Sequence, residues 1–255
     1  MKFQTTHYHL DLLKDNNRLS VFFEAISQYS GKNEMAYDLG CGSGILSYFL
    51  KDKFNEIIAI EKDSKISKYA SVNLNEFSNI KVLNEDVLKY SFNKKADLIV
   101  CEMLDTALID EEEVQVLNHA RKFLKKEGQL IPRGIVNIAE LVNMQRNNIH
   151  WDENAKYTIL SEPVNYSNID FYNEINPNFE KNIEFISSCD GIANGLKIST
   201  ITLLNEDIVC GPTSMLNPPL LIPVDEIFVR RNDLINIKLK YIMGQGIETI
   251  QTQIL

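Results

Sequence analysis

A glycine-rich turn between two apolar segments constrains the fold of this chain more than any other feature of its sequence. In the stretch 35–46, Asp38 is followed by glycines at alternating positions, Gly40, Gly42 and Gly44. Glycine tolerates positive φ and lets the backbone approach a bound molecule closely, and a helix that begins after such a turn presents free N–H groups. The pattern D-x-G-x-G-x-G differs from the G-x-G-x-x-G dinucleotide fingerprint. It predicts a strand, a tight turn and the start of a helix. Taken alone, the pattern also fits a tight strand-to-helix connection that binds no ligand.

Short apolar runs alternate with segments of helical spacing in the first half of the chain. The predicted strands lie at 35–39, 57–60, 80–83 and 97–101. Because helical segments separate them, they should form a mainly parallel sheet with right-handed crossovers, and ligands bind such sheets outside the carboxyl ends of the strands. The acidic residues at or just after these strand ends are Asp38, Glu61, Asp86 and Glu102. Their recurrence predicts a ligand site at that edge of the sheet.

The segments that flank this predicted sheet differ from it in character. Upstream, apolar residues recur at helical spacing within 7–29 and predict a helix or a helix pair. Downstream of Pro132, alternating runs and turn signals predict an antiparallel β domain. Its strands are expected at 136–141, 183–187, 196–204, 220–222, 226–229 and 234–242. The polar stretch 143–182 is predicted to be irregular or partly helical. The expected domains are therefore 1–30, 31–133 and 134–255.

Charge and cysteine usage narrow the classes of partner. The net charge of −9 makes a nucleic-acid backbone an unexpected partner and is compatible with a cationic substrate, although acidity also serves solubility. The four cysteines show no C-x-x-C spacing and no accompanying histidine cluster, so we expect neither a metal site nor a disulfide scaffold. The N-terminus lacks an apolar signal core, and no apolar run approaches the ~20 residues of a membrane span. We therefore expect a cytoplasmic protein with no membrane contact.

The segment 101–111, directly after the fourth predicted strand, carries the most specific signal. Glu102 and Glu111 lie nine positions apart across an expected loop. This pair resembles the double-E loop of the protein arginine N-methyltransferases. The dipeptide of Asp105 and Thr106 inside the loop resembles the type III, monomethylating branch of that family.

Other parts of the chain carry the same resemblance. The glycine-rich turn resembles the first motif of the class I S-adenosylmethionine-dependent methyltransferases, and the segments 117–124 and 131–133 resemble the helix and strand that follow the double-E loop. The segment from His9 to Arg18 resembles the family's cofactor-covering helix. The resemblance is specific over 7–134 and diffuse beyond it. It implies a Rossmann-like methyltransferase domain, then an antiparallel, barrel-like β domain, and a homodimer with a dimerisation insert within 143–182.

The resemblance also implies S-adenosylmethionine as cofactor, and the residue types fit that ligand. A carboxylate at the end of the second strand, Glu61, can accept hydrogen bonds from both ribose hydroxyls. An arginine such as Arg18 can hold the cofactor's carboxylate bidentately, although a surface position on the helix is equally compatible with the sequence. The residues expected to bind the cofactor are His9, Arg18, Asp38, Gly40, Gly42, Gly44, Glu61, Asp86 and Val87.

Glu102 and Glu111 are the expected catalytic residues. A guanidinium stays charged at neutral pH, and two carboxylates can accept its N–H groups as charge-assisted hydrogen bonds. They can also draw positive charge away from the nitrogen that faces the methyl group, which then regains nucleophilic character. The next two acidic residues, Glu112 and Glu113, are interpreted as ordinary acids at a helix N-terminus, where the helix dipole favours them.

The chain departs from the family in ways that leave the acceptor open. Where the family carries a Thr-His-Trp loop, the stretch 214–219 has no histidine, and the only His-Trp pair, His150 and Trp151, comes earlier in the chain. No glutamate near Val87 matches the one that contacts adenine in many members. The expected acceptor is an arginine side chain in a protein or peptide. The alternatives are free L-arginine or another small guanidine, and a non-catalytic regulatory subunit with the same fold.

Overall fold

Five parallel strands form the first sheet of the molecule. A computed structural model describes the chain over residues 3–31, 33–152 and 155–255. The strands are β1 (Met35–Leu39), β2 (Glu56–Ile60), β3 (Ile80–Leu83), β4 (Ala96–Cys101) and β5 (Leu124–Ile131). Their order in the sheet is β3-β2-β1-β4-β5, and every pair is parallel. Every residue of β1 and β4 is buried, as apolar runs covered on both faces should be. The predicted parallel α/β sheet is confirmed.

Five α-helices accompany this sheet within the described residues. They are α1 (His7–Lys14), α2 (Asn16–Gln28), α3 (Ile45–Leu50), α4 (Ser64–Leu74) and α5 (Glu113–Ala120). Of these, α1 and α2 are the predicted N-terminal helix pair, and they meet at Asp15, whose side chain accepts a hydrogen bond from the Arg18 backbone N–H and so caps α2. The α2 face that carries Phe22 and Ile26 is buried in the main core. No helix of the described segments is long and apolar enough to cross a membrane.

Antiparallel strands make up the remainder of the chain. They are β6 (Gly134–Met144), β7 (His150–Trp151), β8 (Tyr157–Ile159), β9 (Val164–Asp170), β10 (Asn178–Ile186), β11 (Gly191–Leu203), β12 (Val209–Cys210), β13 (Leu220–Val229), β14 (Leu234–Ile242) and β15 (Gln251–Ile254). One sheet has the order β7-β13-β11-β6-β8, with β12 on β11 and β9 on β6, and a second has the order β10-β14-β15. The predicted antiparallel β domain is confirmed.

Two expectations within this β domain were wrong. The stretch 143–182, expected to be irregular or partly helical, contains β7, β8, β9 and half of β10. In β9 only Tyr166 is fully buried, so the strand is specified by its pairing with β6 and carries little apolar pattern of its own. The two strands expected at 220–222 and 226–229 are one strand, β13. Its Pro223 lies opposite Gly195, where the register of the neighbouring strand shifts, a position at which a sheet tolerates proline.

Gly134, the first residue of β6, marks the passage from the parallel sheet to the β domain. A Cβ at this position would collide with the backbone carbonyl of Ile169 on β9, which cannot move aside as a side chain can. We expect Gly134→Ala to lower the free energy of unfolding by about 1–3 kcal/mol through overpacking. Gly211→Ala, where a Cβ meets no atom within 4 Å, is the control. Equal urea midpoints for the two variants would contradict the close approach of β6 and β9.

Candidate cofactor and acceptor site

A cavity of about 290 Å³ lies at the carboxyl ends of the parallel strands. The parallel registers bring the ends of β1, β2, β3 and β4 to this one edge. Nine of the eleven predicted site residues line the cavity: His9, Arg18, Gly40, Gly42, Glu61, Asp86, Val87, Glu102 and Glu111. Side chains from α1, from four strand ends and from the loop after β4 therefore meet in one place.

The glycine-rich turn has the backbone conformation that its sequence predicts. Gly40, Gly42 and Gly44 have φ values of 69°, 54° and 90°, a region that glycine enters without strain. A Cβ at Gly42 would lie 3.1 Å from the imidazole of His9. The His9 ring therefore packs on the bare backbone of the turn, while its Nδ1 lies 2.8 Å from the hydroxyl of Thr6, the residue that caps α1. In this way α1 covers the glycine-rich turn.

Asp38 and Gly44 lie behind the cavity wall. The Asp38 carboxylate is 1% exposed and accepts a hydrogen bond of 2.5 Å from the Ser47 hydroxyl on α3. Burial raises the pKa of Asp38 to about 6. A Cβ at Gly44 would press on Leu74 of α4. These two residues hold the turn against α3 and α4, so the structure places them as supports of the predicted cofactor site.

Glu61 fixes the opposite side of the turn. One carboxylate oxygen accepts the Gly42 N–H at 3.0 Å, and the other accepts the Asp63 N–H at 2.8 Å. Each oxygen keeps a lone pair for a further donor, as a pair of ribose hydroxyls requires. Next to it, Asp86 accepts the Leu88 N–H at 3.0 Å and pairs with Lys89, while Val87 is buried. A polar end and an apolar wall thus adjoin each other at the ends of β2 and β3.

Arg18 is a buried residue, and the alternative of a surface arginine is wrong. Its side chain is 4% exposed and forms an ion pair with Glu102, whose side chain is 9% exposed. Its Nη1 also donates to the carbonyl of Leu12 at 3.3 Å, whereas its Nε is buried without a hydrogen-bond partner. A buried guanidinium N–H without a partner, on a residue that lines the cavity, is compatible with a carboxylate-bearing ligand. Burial raises the pKa of Glu102, and the charge of Arg18 opposes that rise.

Glu111, the other predicted catalytic residue, lines the same cavity as Glu102. Burial raises its pKa, and the charges of Asp110 and Glu102 raise it further. Its neighbour Glu112 forms an ion pair of 2.5 Å with Lys62 at the rim. The pair Glu102 and Glu111 therefore presents two carboxylates to one cavity with more negative than positive charge around them.

Glu113 differs from its sequence interpretation. It does begin α5, but it is fully buried, whereas an ordinary acid at a helix N-terminus contacts water. One of its oxygens accepts the Met103 N–H at 3.0 Å and lies 3.3 Å from the Cys101 thiol, so it holds the residues on both sides of Glu102. Burial raises its pKa to about 8. Glu113 lies three and four positions before the apolar residues Val116 and Leu117, so it shares their face of the helix. This spacing is the sequence signal that would have revealed the burial of Glu113.

Asp105 and Met215 are two further residues whose roles at the site were not predicted. Asp105 accepts hydrogen bonds from three backbone N–H groups of the loop that carries Glu111. Met215 lines the cavity. It belongs to the stretch 214–219, the sequence counterpart of the family's Thr-His-Trp loop. The carbonyl of Pro218 in this stretch accepts a hydrogen bond of 2.7 Å from the Thr106 hydroxyl. That stretch therefore does lie beside the double-E loop, as expected.

Comparisons with known proteins agree with this geometry. Residues 36–128 match the family described as "Methyltransferase domain". An uncharacterized protein of Methanothermobacter thermautotrophicus is 43% identical over 255 residues, which cover 100% of both chains. Protein arginine N-methyltransferase 7 of Gallus gallus is 26% identical over 216 residues, which cover 78% of this chain and 30% of that protein.

A solved structure shows the same overall fold. It is the enzyme–prozyme heterotetrameric complex of Trypanosoma brucei PRMT1 with AdoHcy. The TM-score is 0.80 and the sequence identity 14%, and the match covers 98% of this chain and 96% of that chain. Together with the methyltransferase domain, this match confirms the resemblance to the arginine methyltransferase fold. The type III assignment stays a prediction.

We expect Glu61→Ala to weaken S-adenosylmethionine binding by ~1–3 kcal/mol, because the ribose hydroxyls and the Gly42 N–H would lose their acceptor. Isothermal titration calorimetry measures the change. Glu76→Ala, an exposed glutamate beyond α4, is the control and should bind as the wild type does. Unaltered affinity in the Glu61 variant would contradict the role of this carboxylate.

A buried acid with a raised pKa predicts a specific pH dependence of stability. The unfolded chain loses the Glu113 proton near pH 4.5, whereas the folded chain keeps it to about pH 8, so ionisation favours the unfolded state in this window. Glu113→Gln retains an oxygen acceptor but has no such proton. We expect its free energy of unfolding to rise relative to the wild type from pH 4.5 to 8 and then to level off. Urea titrations across that range, with Glu112→Gln as the control, test this; a constant difference would contradict it.

Proposed function

We propose that this chain, a class I methyltransferase of one family with the uncharacterized protein of Methanothermobacter thermautotrophicus, is an S-adenosylmethionine-dependent arginine N-methyltransferase. In this proposal it transfers a methyl group to a guanidino nitrogen of an arginine side chain in a protein or peptide. The observation that carries the proposal is the placement of Glu102 and Glu111 in the same cavity as the glycine turn and Glu61.

The residues of the cavity offer groups that suit the parts of the cofactor. Gly42 has no side chain on the face that His9 covers, Glu61 has acceptor capacity left, and Arg18 has a buried N–H without a partner. These residues, with Asp86 and Val87, would hold the ribose, the carboxylate and the adenine. When bound, S-adenosylmethionine supplies the methyl group of a positively charged sulfonium.

In this proposal Glu102 and Glu111 bind and orient the guanidinium of the acceptor. A guanidinium entering the cavity would donate to the Glu111 carboxylate and to the Glu102 carboxylate, which already pairs with Arg18, and would so offset the cost of burying the two acids. Their hydrogen bonds fix the plane of the guanidinium and localise its positive charge on the nitrogens they contact. The remaining nitrogen keeps its lone pair for attack, so catalysis rests on positioning and electrostatics.

The size of the acceptor is a separate part of the proposal. The relative from Gallus gallus is a protein arginine methyltransferase by name, which supports a protein or peptide arginine, and the type III likeness of the loop supports monomethylation. Met215 lines the cavity where the family's histidine loop would lie, and this observation favours the alternative of free L-arginine or another small guanidine. The proposal also includes a homodimer in the cytoplasm, with 1–30 as the cofactor cover, 31–133 as the cofactor domain and 134–255 as the β domain.

The experiment that tests the proposal offers three acceptors in parallel with labelled S-adenosylmethionine. Free arginine, an arginine-rich peptide and a histone-like protein are incubated with the enzyme, and mass spectrometry identifies the products. Methylation of the peptide or protein supports the main proposal, and methylation of free arginine alone supports the alternative. Absence of label from all guanidines would contradict both and favour a non-catalytic subunit.

We expect Glu111→Gln to abolish turnover and leave the affinity for S-adenosylmethionine nearly unchanged, because a neutral amide cannot compensate a guanidinium. Glu102→Gln should abolish turnover as well. The control is Asp110→Asn, an exposed acid in the same loop, which should retain activity. Initial rates and calorimetric titration separate the two effects. A large loss of cofactor binding in the Glu111 variant would contradict its assignment to the acceptor.

A further inference from the structure

The loop that carries Glu111 has a strained backbone. Ala107 and Leu108 both have φ of 60°, a left-handed conformation that non-glycine residues rarely adopt. Each such residue raises the energy of the folded chain and persists only where surrounding contacts over-determine it. Both side chains are buried. The contacts that hold this loop therefore decide where Glu111 lies.

A carboxylate inside the loop supplies the first set of contacts. Asp105 Oδ2 accepts the backbone N–H groups of Ile109 and Asp110, each at 3.0 Å, and Oδ1 accepts the Glu111 N–H at 3.2 Å. Three consecutive N–H groups thus converge on one side chain. Residues 109–111 therefore fold around the Asp105 carboxylate. The last of the three is Glu111, the glutamate that the proposed function assigns to the acceptor.

The β domain supplies the second set of contacts. The Ala107 N–H donates to the Thr200 hydroxyl on β11 at 2.8 Å, and that hydroxyl donates to Asn137 on β6 at 2.7 Å. On the other side of the loop, the Gly244 N–H donates to the Leu108 carbonyl at 3.0 Å. These bonds fix the strained residues from outside, while Asp105 fixes the residues that follow them.

We propose that Asp105 is a positioning residue, which sets the place of Glu111 by binding the three backbone N–H groups of residues 109–111. This inference rests on the proposed function, because Glu111 is there the acceptor-binding carboxylate. Asp105 acts through Glu111: it is 8% exposed and its oxygens are directed at the backbone, whereas Glu102 and Glu111 line the cavity. Thr200 acts on the same loop from β11.

The test compares Asp105→Asn with Asp110→Asn, which makes the same substitution in the same loop but leaves the Asp105 cradle intact. The side-chain amide of an asparagine at position 105 has one oxygen and one NH₂ group. The NH₂ group must face either the Glu111 N–H or the N–H groups of Ile109 and Asp110, so at least one backbone N–H loses its acceptor. We expect kcat for the acceptor to fall by about tenfold or more, with the Kd for S-adenosylmethionine unchanged. Amide hydrogen exchange over 104–112 should become faster in Asp105→Asn only.

A second pair of variants addresses the case in which Asp105→Asn fails to fold. Thr200→Val removes the acceptor of the Ala107 N–H, and Thr200→Ser retains it. The valine variant should show the same loss of kcat and the same faster exchange, and the serine variant should restore both. Unchanged kcat and exchange in Asp105→Asn or Thr200→Val would overturn the proposal, and so would faster exchange with unchanged kcat.

The readouts separate this inference from the proposed function. A wild-type enzyme that methylates no guanidine contradicts the proposed function, and the exchange rates over 104–112 still decide whether Asp105 anchors the loop. Normal exchange in that case overturns the positioning role as well. A wild-type enzyme that is active, with an Asp105→Asn variant of equal kcat, overturns the positioning role alone.

Discussion

The site depends on an imbalance of buried charge. Glu102 and Glu111 face one cavity, Asp105 and Glu113 lie directly behind them, and Arg18 is the cation that pairs with this group. Burying carboxylates without compensation is expensive. The structure reduces the cost by backbone N–H donors to Asp105 and by a bound proton on Glu113, whose pKa is about 8. Glu102 pairs with Arg18, whereas Glu111 has a raised pKa and more negative than positive charge around it. In the proposed function, the sulfonium cofactor and the guanidinium acceptor are both cations, so the same imbalance would favour both ligands.

Three parts of the fold must meet for this arrangement to exist. The parallel sheet aligns the ends of β1 to β4, and this places the turn, Glu61 and Glu102 at one edge. The helical cover is joined to the β domain through Asp15, which caps α2 and also accepts a hydrogen bond from the Thr213 hydroxyl. The loop from Glu102 to Glu111 is joined to the β domain through Thr106 and Ala107. The β domain thus shapes the site through the Thr213 and Thr200 hydroxyls and the Pro218 carbonyl.

The sequence predicted the parts of the site that follow from local pattern. Strand ends could be located because short apolar runs stop at an acid or a glycine, and the parallel arrangement then brings those acids together. The pairing of Arg18 with Glu102 could not be predicted, because it joins residues 84 positions apart through the packing of α2 on the sheet. The burial of Glu113 was missed because an acid at a helix N-terminus has a sufficient local explanation. The strands within 143–182 were missed because β9 takes its conformation from β6 and buries only one of its seven side chains.

The stretch 214–219 is held beside the loop from Glu102 to Glu111 by contacts that need no histidine. Thr213 and the Met215 N–H bind Asp15, and the Pro218 carbonyl accepts the Thr106 hydroxyl. These contacts use a hydroxyl, a backbone N–H and a backbone carbonyl, so they place no demand on a histidine in this stretch. The side chain that reaches the cavity is Met215, a flexible apolar residue that adapts to different neighbours. A thioether in the same cavity as the two glutamates adds no charge and no strong hydrogen-bond donor. In the proposed function, discrimination among guanidines would then fall to the carboxylate pair and to the volume that Met215 leaves free.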